Sequence, residues 1–170
     1  VIPMLPRELS NGICSLNPKE DRLTLSVLME IDHRGKVVDH RIEESVIRSS
    51  ERMVYEDVTK ILEQNDPELM ERYHPLINDF RNMETLSRIL RKKRIRRGSI
   101  DFDLDETKVI LNEKGKPIDV RPYERSISNR IIEEFMLVCN ETVAEYMTWN
   151  EVPFLYRIHE DPTAEKLEEF

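Results

Sequence analysis

The sequence predicts an α+β fold in which strands, hairpins and helices are mixed rather than strictly alternating. Two observations carry this. Stretches of alternating apolar and polar residues come in pairs joined by short glycine turns. Between and after them run segments with apolar residues at helical spacing, several with recognisable ends.

Taken in order, residues 22–31 (RLTLSVLMEI) read as a strand with Leu23, Leu25 and Val27 on one face. DHRGK at 32–36 is a turn carrying Gly35, and 37–48 returns as the second strand. SSERMVYEDVTKIL places Val54, Val58, Ile61 and Leu62 at helical spacing, with Ser50 as candidate N-cap. Asp66 caps a further helix whose first position suits Pro67. Pro75 starts the next, running to about Arg97 with Leu76, Phe80, Met83, Ile89 and Leu90 along one side, and Gly98 ends it. SIDFDLDE alternates as a strand, and TKVILNEKGKPIDVRPY forms a second hairpin around Gly115. The last helix, 129–148, carries a stripe of Ile131, Ile132, Phe135, Val138, Cys139, Val143, Tyr146 and Met147. FLYRIHE at 154–160 reads as one more strand.

Composition narrows the class. At 170 residues the chain suits one domain burying about 70% of its unfolded surface. With 35% charged residues and no apolar run near the length of a membrane span, a soluble, cytoplasmic type is expected, with no membrane partner. Cys14 and Cys139 fit no metal spacing and are expected as reduced, buried thiols. The chain starts VIPMLP without Met and stops at KLEEF, so the expectation is one domain, residues 1–170, truncated at both ends.

Three constellations can carry chemistry. Asp101, Asp103, Asp105 and Glu106 offer oxygen ligands of the kind hard divalent cations take. The same alternation is also the ordinary wet face of a half-buried strand. Residues 88–97 (RILRKKRIRR) hold seven Lys/Arg and no acid; taking those seven from the formal −8 leaves −15 for the rest. Such a run either grips phosphates or complements a helix C-terminus as a solvated face. Glu133 and Glu134 lie near the start of the last helix, where acids suit its dipole. Being adjacent on a helix, they diverge by about 100° and make a poor catalytic pair. Tyr55 reads as half-buried, and His159 as structural or solvated.

IPMLPRELSNGICSLNP, ESVIRSSERMVYEDV, RRGSIDFDL, and SNRIIEEFMLVCNETVAEYM with FLYRIHEDP resemble the catalytic (RNB) domain of the ribonuclease II / ribonuclease R family, closest in the ribonuclease R branch. The resemblance spans nearly the whole chain but only a central part of that domain. It implies a processive 3′→5′ exoribonuclease hydrolysing single-stranded RNA to nucleoside 5′-monophosphates with divalent metal, normally Mg²⁺. By the same resemblance, Tyr55 of RMVYEDV contacts RNA near its 3′ end and Phe102 of IDFDL clamps the last stacked bases. Glu133, the first Glu of NRIIEE, is implied to position the 3′-terminal nucleotides through their sugars. The family's metal-binding aspartates fall upstream of Val1, so the segment alone is expected to be inactive. The alternative is a non-catalytic RNA-binding module of the same fold, and a weaker third reading is a metallohydrolase built on the 101–106 acids.

Overall fold

The computed structural model describes residues 4–99, 106–123, 125–158 and 163–169. An N-terminal π-helical turn, Glu8–Ile13, leads to strand β1 (Asp21–Ile31), which pairs antiparallel with β2 (Val37–Arg48). A second antiparallel pair joins β3 (Glu106–Leu111) to β4 (Pro117–Tyr123). Among the described residues these are two separate two-stranded sheets. The helices are α1 (Tyr55–Thr59), α2 (Pro67–Arg72), α3 (Ile77–Arg96), α4 (Ile127–Trp149) and a short α5 (Ala164–Glu169).

Both hairpins close by the same device. In the first, Asp32 Oδ1 accepts the backbone N–H groups of Arg34 (2.8 Å) and Lys36 (2.9 Å), with Gly35 at φ +81°. In the second, Asn112 Oδ1 accepts those of Lys114 and Lys116, both at 3.0 Å, with Gly115 at φ +73°. A short side-chain acceptor closes the turn, and glycine supplies the left-handed backbone at no Cβ cost. Each hairpin shifts register one residue before its turn, at Glu30/Ile31 and at Ile110/Leu111.

The helical starts follow local chemistry. Asp66 caps α2, its Oδ1 accepting from the Leu69 N–H at 3.0 Å, and Pro67 follows at the first position. Gly98, at φ +98°, stands just past the end of α3. α1 begins later than its sequence suggests: its N-cap is Val54, without a side-chain cap, and not Ser50. Its continuation, Lys60–Gln64, widens into a π-turn that ends at left-handed Asn65.

The core lies between helices. Val58, Ile61, Tyr73, Ile77 and Phe80 form one buried cluster. Leu90 of α3, and Ile131 and Val138 of α4, are buried as well. The hairpins contribute less than their apolar faces suggest. Leu23 is 87% exposed and Leu25 76%, and Val46, paired with Leu23, is exposed too. Val109, Ile118 and Val120 of the second hairpin are likewise exposed. Consequently the chain exposes 14550 Å², where a compact monomer of this mass exposes about 8,800 Å². It buries about half of its unfolded surface rather than the expected 70%. Of the strand expected at 154–160, residues 154–158 have no regular structure, and His159 and Glu160 lie outside the described residues. Both cysteines are free, Cys14 exposed and Cys139 half-buried.

Candidate nucleic-acid interface

Tyr55 is the first residue of α1, where the extended backbone of Val54 turns into the helix. Its ring is partly exposed at the edge of an apolar cavity of about 300 Å³. Met53, Val58 and Phe80 line it together with Ile131 and Ile132 from α4. A cavity of this size and lining accepts a flat apolar face rather than a charged group.

Residue Ser128 fixes α1 against α4. It is 3% exposed, and its Oγ donates to the Tyr55 carbonyl at 2.9 Å. The same oxygen lies 2.8 Å from Thr59 Oγ1 and 2.8 Å from Ser126 Oγ. The backbone of Tyr55 is thereby bolted to the start of the helix that carries Glu133.

Glu133 is half-buried, directly after Ile132 of the cavity wall, with its Oε1 3.6 Å from Arg94 Nη2. Glu134 is 4% exposed, and its Oε1 accepts from both Arg94 Nη2 (2.7 Å) and Nε (3.2 Å). Arg94 Nη1 donates to Ser99 Oγ at 2.9 Å. The two glutamates therefore share one guanidinium. Glu134 serves as a buried anchor, leaving Glu133 as the more accessible carboxylate. Losing Arg94 would strand a buried charge, a cost of about 3–5 kcal/mol.

Arg94 is the residue that sequence reasoning missed. Phe80, Met83, Ser87, Leu90 and Arg94 recur at spacings of three and four, the seam of a helix facing a neighbour. Its place in a basic run hid a position that periodicity assigns to the interior. Ile89, by contrast, is off that seam and packs under the first hairpin, against Gly35.

Phe102 and the acids Asp101, Asp103 and Asp105 lie outside the described residues, so of the three expected RNA-contacting residues the structure places Tyr55 and Glu133. Among the described residues no group of three or more His, Cys, Asp or Glu side chains could hold a metal ion. No helix among them is long and apolar enough to cross a membrane.

An aromatic at the rim of an apolar cavity thus stands beside a helix presenting an accessible carboxylate, which places a flat apolar surface next to a hydrogen-bond acceptor. The chain belongs to the RNB domain family, which it matches over residues 1–170. It is 48% identical over 170 residues to ribonuclease R 1 of Lactococcus lactis, covering 100% of this chain and 21% of that protein. It is 50% identical over 168 residues to ribonuclease R of Thermotoga maritima, covering 98% of this chain and 23% of the relative. The fold matches that of Mycoplasma genitalium RNase R in complex with ribose methylated single-stranded RNA, with a TM-score of 0.87 and 32% identity, over 98% of this chain and 26% of that one. The chain thus spans about a fifth of the length of the relatives it matches.

Proposed function

We propose that residues 1–170 are the central part of the catalytic domain of a 3′→5′ exoribonuclease that degrades single-stranded RNA processively to nucleoside 5′-monophosphates in the cytoplasm. The observation that carries the reading is family membership over the whole chain, with Tyr55 and Glu133 on the two helices that Ser128 ties together. In this reading the cavity edge at Tyr55 receives a base near the 3′ end, and Glu133 accepts hydrogen bonds from the terminal sugars. A carboxylate aimed at a 2′-hydroxyl favours RNA over DNA. Phe102 completes the grip by stacking. These residues bind and orient; Mg²⁺ is the expected cofactor, no group of side chains among the described residues fits a metal, and the family resemblance puts the metal-binding aspartates upstream of Val1.

The full-length parent should release mononucleotides from single-stranded RNA in a Mg²⁺-dependent way. Stacking on an aromatic is worth about 1–3 kcal/mol per base, so Tyr55→Ala should weaken binding of a short RNA by about 5- to 150-fold. A parent without nuclease activity under any divalent metal ends the proposal. If it still binds RNA, the second reading, a non-catalytic RNA-binding module of the same fold, takes its place.

A further inference from the structure

The basic run of α3 does not act as one unit. Arg94 is committed to Glu134, Arg97 donates to Glu141 at 2.7 Å, and Arg88 pairs with Glu84. Lys92 and Arg96, one turn apart, point elsewhere: with Ile89 they line a cleft of about 350 Å³ whose other wall is His33 and Arg34 of the first hairpin turn. Among the described residues none of these four makes an ion pair. All four are exposed.

The cleft is held open by packing. Gly35 sits so close to α3 that a Cβ there would lie 3.3 Å from Ile89 Cγ2 and 3.5 Å from Lys93 Cβ. The turn therefore rests on the helix by its backbone, with His33 and Arg34 held beside Lys92 and Arg96. The neighbouring acid, Asp32, already accepts two backbone N–H groups of the turn. What remains is a concave site of donors with an aliphatic floor, in a chain whose formal charge is −8. Such local reversal concentrates an anion without making the whole surface adhesive to polyanions.

We propose that this cleft is a contact for the phosphate backbone of single-stranded RNA, sharing no residue with the cavity at Tyr55. The proposal rests on the exoribonuclease reading for the identity of the polyanion. It adds a place where the strand is held by charge alone, suited to a chain that must slide. Phosphate contacts carry no sequence information and release condensed counterions, so their signature is salt dependence.

The test uses the full-length parent with divalent metal chelated, measuring affinity for a long single-stranded RNA as salt is varied. Each contact to a single strand contributes about 0.7 to the slope of log affinity against log salt, so Arg34→Gln, Lys92→Gln, Arg96→Gln together should lower that slope by about 2. The affinity ratio of wild type to variant should then shrink by about 15-fold between about 50 and 200 mM salt. An unchanged slope overturns the proposal. An unchanged slope with a lowered melting temperature also overturns it, and shows that the cations pair with an acidic protein segment instead. A wild-type parent that binds no RNA at all defeats the functional reading itself, which this variant does not address.

Discussion

The two hairpins are close copies in turn chemistry and opposites in setting. DHRGK and NEKGK bend around the same side-chain acceptor position, the same left-handed glycine and the same register shift. Yet Gly35 is buried against α3, while nothing lies within 4 Å of a Cβ placed at Gly115. The first hairpin is held further by Met29, whose Sδ accepts from Thr142 Oγ1 at 3.4 Å, and by an edge-to-face contact of His40 with Tyr146. Local sequence thus sets the shape of a turn, and the surroundings decide which of its atoms are irreplaceable.

Substituting the glycines gives the largest expected difference. Gly115→Ala should cost about 1–2 kcal/mol, the penalty of a left-handed backbone alone. Gly35→Ala carries that penalty and forces Ile89 to give way, for a total of about 3 kcal/mol. Asparagine tolerates the left-handed region, so Gly115→Asn should be nearly neutral while Gly35→Asn stays destabilising. Chemical denaturation of the four variants in the full-length protein checks this, and equal losses at the two sites would erase the distinction.

A smaller effect is expected from Tyr146→Ala. Losing an edge-to-face pair costs about 0.5–1.5 kcal/mol beyond the area the ring buries, and the loss should speed amide hydrogen exchange in β1 and β2 while leaving β3 and β4 unchanged. Exchange that rises equally in both hairpins would show that the contact does not single out the first.

The smallest is a matter of charge. The backbone N–H of Lys36 holds the Asp32 carboxyl below its ordinary value; partial desolvation opposes this, and the Arg34 N–H with the charges of His33 and Arg34 adds to it. A carboxyl whose folded value is lowered contributes stability above its unfolded value, lost as pH falls through the folded one. The first turn should therefore loosen in acid below about pH 4, and the second, built on Asn112, should not. Asp32→Asn should abolish that acid limb with little change at neutral pH, because Asn112 already makes the same two bonds. NMR of the turn amides against pH would read it directly.

Much of the fold was legible because its signals are local. Gly35, Gly115, Asp66 with Pro67, and Gly98 each act within a few residues, and each stands where its chemistry requires. What covers a face is not local. Alternation correctly put Leu23 and Leu25 on one side of a strand, but a pattern cannot say whether anything packs there, and both are exposed. FLYRIHE has strand composition, yet residues 154–158 pair with no strand among the described residues, and a strand needs a neighbour to bond with. At the candidate site, Tyr55 and Glu133 are singled out by resemblance alone, whereas the residues that physically link them, Ser128 and Arg94, are not. Ser128 is a small polar residue whose partners on α1 lie about seventy positions away, and Arg94 was masked by its charged neighbours.

The knot of hydroxyls at Ser128 has a consequence in protons. Four contacts meet there: Ser128 with the Tyr55 carbonyl, with Thr59 and with Ser126, and Ser126 with Asn129 Oδ1 at 2.6 Å. The three hydroxyls bring three protons, and a carbonyl oxygen brings none. Ser128 spends its own on Tyr55, so Thr59 must point inward, and Ser126 has one proton for two acceptors. Turned toward Asn129 it ties the first turn of α4; turned toward Ser128 it completes the junction beneath Tyr55. The Ser126 backbone N–H also donates to Asn129 Oδ1, at 3.3 Å, so the first turn of α4 stays tied while that one hydroxyl decides whether Ser128 gains a third hydrogen bond.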